Sequence, residues 1–299
     1  MSYPLAGRPG VTQNRTMSRN SRRPRQKPPS APDPQDRLIP DEDSGLDEGE
    51  RRPRSGRTIL YRDDSLIVLD KPPTVTIEDI LAALSLAAND EAIGLGMAAA
   101  QYAYAAYPLD QGASGLLLVT ASEELCKQCG RQISEQVLEL RYWALIRGRP
   151  GQTSGTVSRR LLDNSAGGGL VRVDEEHGQP AVTDWRLLEN YFGFALLECI
   201  PRTNVPCQIR AHLRAESMPL VVDPRYGGGQ ELKLSSFKAD YRPSRRREER
   251  PLIHRLTLHA QSLTFMHPAS GKQMRFELPP PKDMRATLHQ LDRFGRMPP

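Results

Sequence analysis

Two short segments, about a hundred residues apart, hold the residue types that could do chemistry. In Leu109-Asp110-Gln111-Gly112-Ala113-Ser114-Gly115-Leu116, a lone carboxylate sits just before a Gly-X-Ser-Gly turn that opens an uncharged aliphatic run. A carboxylate placed there is presented at the mouth of a rigid strand, and sites built on strand ends are held accurately. In Gln208-Ile209-Arg210-Ala211-His212-Leu213, the arginine fork, set beside a carboxylate, would keep it ionised and fix its orientation. Such a pair suits a nucleophile or a general base. Asp before Gly is also a common turn choice, so spacing alone leaves both readings of Asp110 open.

The elements that must position these residues follow from periodicity. Ile59 and Tyr61, then Leu66 and Val68, alternate around the polar turn Arg62-Asp63-Asp64-Ser65 and predict a hairpin. Ile77, Ile80, Leu81 and Leu84 mark one face of a helix, with Thr76 as its cap. A second helix begins at Ser122 and ends before Leu140. Beyond it the chain reads as strands over Tyr142–Ile146, Gly155–Leu162, Gly169–Val173, Ala181–Leu188 and Gly193–Ile200, punctuated by glycine clusters at Gly167–Gly169 and Gly227–Gly229. Helices mixed with runs of adjacent strands predict an α+β domain with a largely antiparallel sheet.

Composition bounds the function. The 299 residues are 38% apolar and 26% charged, long enough for one or two domains with a sizeable core. A net charge of +5 fits a polyanionic partner without requiring one. The N-terminus carries Arg and Pro rather than a short apolar stretch, so a cytoplasmic protein is expected. The uncharged run Ala92–Leu109 is rich in Ala, Gly and Tyr, contains Gln101 and Pro108, and reads as core rather than as a membrane span. Cys126-Lys127-Gln128-Cys129 has no second such pair, and His212, His254, His259 and His267 make no recognised ligand set; no metal is expected, and the thiols read as reduced.

Residues 1–57 stand apart. Met1–Ala31 holds seven Arg or Lys and no acid, and an acidic patch follows over Asp41–Glu50. So little apolar material predicts a disordered arm, either gripping RNA phosphates non-specifically or merely solubilising. The expected domain spans 58–285, with a C-terminal tail over 286–299 and a basic insertion near 230–250. That insertion interleaves Phe237 and Tyr241 with Lys233, Lys238, Arg242 and Arg245-Arg246-Arg247, and reads as an exposed loop able to stack bases of single-stranded RNA.

Several stretches in order carry a family likeness: Ile59 through Lys71-Pro72, the Asp110 segment, Arg141-Tyr142-Trp143-Ala144-Leu145, Gly178-Gln179-Pro180-Ala181-Val182-Thr183, Gln208-Ile209-Arg210, Pro219 through Asp223-Pro224-Arg225-Tyr226-Gly227, and Arg255-Leu256-Thr257-Leu258-His259-Ala260. From about Thr58 to Asp283 the chain resembles the RluA-type RNA pseudouridine synthases. The resemblance implies a mixed, largely antiparallel central sheet with flanking helices and a cleft across it. It also implies RNA, ribosomal or transfer, as partner, and a cofactor-free isomerisation. The bond from ribose C1′ to N1 of uracil breaks, the base rotates, and C5 rejoins C1′.

By the same resemblance Asp110 is the catalytic carboxylate, either nucleophile or base. Arg210 is its partner. Tyr142 stacks on the flipped uracil and assists deprotonation at C5, and His259 packs the sheet. Ile209 forms an apolar wall for uracil, with Leu109 and Gln208 also against the substrate. Departures fall on positions that handle RNA. The family's His-Arg-Leu-Asp is here Tyr107-Pro108-Leu109-Asp110, which removes the arginine that enters the RNA stack. Thr-Ser-Gly is Ala113-Ser114-Gly115, and the stretch ending in His-Gln-Ile-Arg ends here in Cys207-Gln208-Ile209-Arg210. An active enzyme with an altered flipping device, one that acts on an already splayed loop, and a catalytically silent RNA-binding paralogue all fit these changes; more distant is a protein-binding module reusing the fold.

Overall fold

The computed structural model describes residues 58–88, 104–164, 169–242 and 248–296. The N-terminal arm, most of the Ala92–Leu109 run, Gly167, Gly168 and Arg245–Arg247 lie outside the described residues. Strands β1 (Thr58–Arg62) and β2 (Leu66–Lys71) form the expected hairpin, closed by Asp63, whose Oδ1 accepts from the Ser65 and Leu66 backbone N–H groups at 2.8 and 3.0 Å. Helix α1 (Ile77–Ala88) starts from a reciprocal cap: Thr76 Oγ1 accepts from Asp79 N at 3.0 Å and Asp79 Oδ2 accepts from Thr76 N at 3.1 Å. Two residues of β3 (Tyr104–Ala105) lead through the Asp110 turn into β4 (Ser114–Thr120), buried at every position. Helix α2 (Glu123–Ser134) begins where expected, with Ser122 Oγ accepting from Leu125 N.

The remaining strands are β5 (Glu139–Arg147), β6 (Ser154–Ser158), β7 (Leu161–Leu162), β8 (Arg172–Val173), β9 (Val182–Tyr191), β10 (Phe194–Pro201), β11 (Leu258–Met266) and β12 (Gln273–Glu277), with α3 (Gln208–Ala215) and α4 (Lys282–Phe294) among them. The main sheet runs β1-β2-β4-β11-β5-β10-β9-β6, with β3 on β4 and β12 on β11. Every pairing is antiparallel except β4 with β11, where His259 faces Ser114 and Ala260 faces Gly115. This is the mixed, largely antiparallel α+β sheet that the sequence predicts. Covered on both faces, β4 reads as a continuous apolar run rather than as an alternation.

Three local expectations change, and one unassigned segment gains an element. The strand expected over Gly155–Leu162 breaks at Arg159–Arg160, because β7 leaves the main sheet to pair with β8 in a separate ribbon. The Gln-Ile-Arg segment, to which periodicity assigned no element, is the helix α3. Helix α4 runs through the boundary set at 285, and it buries Met284, Leu288 and Leu291 along one face. The 230–250 insertion is anchored rather than loose: Leu232 bridges Ile253, and Phe237, 6% exposed, packs edge-on against Phe194. Phe237 is therefore not free to stack a base, and Lys238 Nζ rests over the Phe294 ring at 4.4 Å. Among the described residues, no helix is long and apolar enough to cross a membrane.

Gly115 fixes the parallel crossing that aims the Asp110 turn. Its φ is +118°, and a Cβ there would fall on the Ala260 backbone. Gly115→Ala combines that collision with a backbone region hostile to side chains, and is expected to cost about 3 kcal/mol, read as a lowered urea midpoint.

Candidate active site

The Asp110 turn is built from beneath. Tyr107 is buried, its hydroxyl donating to Leu116 O at 2.8 Å, and Leu109 is buried in the core. Ala113 N closes the turn on Asp110 O at 3.0 Å, with Gly112 at φ +86°. The fully buried Lys71 donates from Nζ to Ala113 O at 2.8 Å and to Pro72 O at 3.2 Å, locking the end of β2 to the turn. Burial pushes this lysine down to about 8, against the opposing pull of Asp110.

The opposite wall is the segment before α3. The Gln208 amide is fully engaged there: Oε1 accepts from Thr203 Oγ1 at 2.8 Å and Val205 N at 3.2 Å, and Nε2 donates to Val182 O at 2.8 Å and Thr183 Oγ1 at 2.9 Å. This brace holds the chain so that Cys207, at φ +53°, turns its backbone N–H onto Asp110 Oδ1 at 3.1 Å. The carboxylate thus meets the N-terminus of α3, where the helix dipole favours negative charge.

Arg210 lies within reach of Asp110, with Nη1 3.8 Å from Oδ2, but its main partner is another acid. Nε and Nη2 donate to the two oxygens of Asp223 at 2.7 and 2.8 Å, a bidentate pair in which Asp223 is 1% exposed. The Tyr226 ring stacks on the guanidinium at 4.5 Å. Burial works against the arginine's charge, yet the Asp223 bonds and the nearby Asp110 push its pKa up.

Asp110 itself, 9% exposed at its side chain, is raised above the ordinary carboxylate value. Burial is the main cause, Asp223 adds to it, and Arg210 and Cys207 oppose it. Burial and then the Asp110 charge likewise raise Tyr142 on β5.

An open cleft of roughly 490 Å³, solvent included, runs over this arrangement, and Asp110, Tyr142, Ile209 and Gln208 all line it. Two of the six expected site residues do not line it. Leu109 faces the core, and Arg210 stands one layer back, behind Asp110. Pro108, exposed, forms a rim where the family carries arginine, and Asn204 lines the cleft from the segment before α3.

Sequence reasoning missed the part played by Asp223, Tyr226, Lys71 and the Cys207 N–H. Asp223 and Tyr226 stood in a recognised stretch with no role attached. His259 and His212 are structural: Ser114 Oγ meets His259 Nδ1 at 3.0 Å and Leu278 O accepts from its Nε2 at 2.9 Å, while His212 Nδ1 meets Thr183 Oγ1 at 2.9 Å.

The sequence profile of the family described as RNA pseudouridylate synthase matches residues 65–215. Ribosomal large subunit pseudouridine synthase C of Escherichia coli (strain K12) is 31% identical over 236 residues, covering 78% of this chain and 69% of its own. This chain belongs to the RNA pseudouridylate synthase family. It is of the RluA type, and its activity is that of an RNA pseudouridine synthase, an isomerase. The synthase is also 31% identical to the Salmonella typhi synthase C over 236 residues, with the same coverage. Ribosomal large subunit pseudouridine synthase D of Xanthomonas campestris pv. campestris is 29% identical over 239 residues, covering 78% of this chain and 69% of its own. Human RNA Pseudouridylate Synthase Domain Containing 4 shares the fold, with a TM-score of 0.61 at 22% identity over 81% of this chain and 94% of that one.

Lys71 gives the synthase a pH signature. Folded, it loses its proton near 8; unfolded, it keeps it to about 10.5, so between these values the unfolded chain binds more protons and folding gains stability as pH rises. The stability of the native protein minus that of Lys71→Met is expected to increase by about 1.4 kcal/mol per pH unit over that window in urea unfolding; a constant difference contradicts the burial argument.

Proposed function

We propose that this synthase isomerises a uridine of ribosomal RNA in the cytoplasm, with Asp110 as the reacting carboxylate, Arg210 as its fixed countercharge, Tyr142 against the base and Ile209 as an apolar wall. The observation that carries this reading is the setting of Asp110. One carboxylate oxygen takes a backbone N–H at 3.1 Å, the other faces a guanidinium at 3.8 Å, and the group lines a cleft beside a buried tyrosine. A partly desolvated carboxylate keeps more basicity and nucleophilicity than one in water, while its partners hold its direction. It serves equally as a nucleophile toward the nucleotide or as a base on a sugar proton; either route breaks the C1′–N1 bond and forms C1′–C5 with no net redox change. Leu109, buried under the turn, supports Asp110 rather than touching substrate, and Gln208 braces the wall. The names of the relatives support ribosomal over transfer RNA.

Pro108 at the rim favours a target that is already unstacked, since a rigid ring without donors cannot fill the gap a base leaves in a helix and an unpaired uridine needs less unstacking energy. The same residue is what keeps a silent RNA-binding paralogue as the second reading.

Mapping pseudouridine in total RNA from cells with the gene, without it, and with Asp110→Asn separates them. The expected result is that the same sites vanish in the last two, with a rate loss of about 10²–10⁴-fold or more for the purified variant. Sites that persist with Asp110→Asn exclude this carboxylate, and sites that persist without the gene leave RNA binding alone.

A further inference from the structure

Where the family carries histidine, this chain has Cys207, and its thiol falls among three groups of the site. The backbone N–H of Cys207 reaches Asp110 Oδ1 from a left-handed conformation rare for a residue with a side chain. Its Sγ accepts from Arg210 Nη1 at 3.5 Å. That is the one terminal nitrogen Asp223 leaves unbound, and the same atom stands 3.8 Å from Asp110 Oδ2. On the third side lies the Tyr226 hydroxyl. Tyr226 is 2% exposed and its hydroxyl has no hydrogen-bond partner of good geometry among the described residues; its electrostatic neighbours are this thiol first, then Arg210 and Asp110. A buried polar atom left so requires an explanation, and a soft acceptor beside it supplies one.

From this geometry we propose that Cys207 is a positioning residue, its S–H donating to the Asp110 carboxylate while its sulfur accepts from Arg210, which couples carboxylate, guanidinium and the Tyr226 hydroxyl behind them. The proposal rests on Asp110 being the reacting carboxylate. Burial first, then the Asp110 charge, push the thiol up to about 11, so at neutral pH the sulfur keeps its proton and acts as a donor rather than as a competing anion. A histidine here would change charge at about 6.5, within the working range; the thiol keeps the charge count of the site constant there. Removing the donor takes away one of the groups that favour the ionised carboxylate, so the Asp110 pKa rises further and activity is lost at the acid end.

The test compares native enzyme, Cys207→Ala and Cys207→Ser by initial rates at the sites lost on deletion. The substrate is total RNA purified from cells lacking the gene, and the pH runs from about 5 to about 9. Cys207→Ala is expected to keep KM, to lose about tenfold in kcat near pH 6 and to move its acid limb to higher pH, and Cys207→Ser, with a stronger donor, to return both. Identical acid limbs and kcat for Cys207→Ala, or a loss confined to KM or to the unfolding temperature that serine does not restore, overturn it. Asp110→Asn run alongside tells the failures apart. If Asp110→Asn is active, both readings fall; if it is inactive while Cys207→Ala behaves as native, the thiol's role alone is withdrawn.

Discussion

The Arg210 guanidinium, 8% exposed at its side chain, carries a charge that cannot be discharged by losing a proton, so the fold must supply anions around it. Asp223 does so with two short parallel bonds, and the pair is neutral. Asp110 is then the surplus negative charge of a three-group cluster. Because Asp223 has already satisfied two of the guanidinium's nitrogens, Arg210 steadies Asp110 at 3.8 Å without capturing it in a tight bidentate pair. Asp223 at the same time disfavours the Asp110 charge, as does burial. Held in direction and short of full stabilisation is the condition a reacting carboxylate needs.

The scaffold serves that cluster through opposed strand and helix ends. β4 crosses β11 in parallel at Gly115, which points the preceding turn into the cleft, and Lys71 clamps that turn from below. Gln208 ties the segment before α3 to β9, and the residue that opens the helix, Cys207, turns its N–H onto Asp110. Tyr142 reaches the cleft from β5, the strand beyond β11. Three separate elements therefore converge on one carboxylate, and most of the side chains that hold them do not touch the cleft.

Local signals carried much of this into the sequence. Thr76 and Ser122 announced their helices because a capping oxygen is a short-range requirement, and the aliphatic run after Gly115 announced β4 because a doubly covered strand has no polar alternation. Long-range geometry was not legible. Helix α3 has eight residues and a left-handed cysteine before it instead of a capping side chain, so nothing local marked its start. The 284, 288, 291 spacing of α4 was present but straddled the boundary set at 285, so its apolar face was divided between domain and tail. Phe237 looked available for stacking because its neighbours are charged, and only the fold reveals Phe194 beside it. Asp223 lies 13 residues from Arg210, and its claim on the guanidinium, the interaction that sets how firmly Asp110 is held, depends on a turn that periodicity does not encode.

The shared guanidinium is tested most directly by following the Asp110 side-chain carboxyl with ¹³C NMR against pH, in the native protein and in Arg210→Gln. The account predicts a native midpoint above the ordinary 3.8 and a further rise when the guanidinium is removed, since burial then acts unopposed by it. A native carboxyl titrating at or below the ordinary value, or one indifferent to the loss of Arg210, would contradict it.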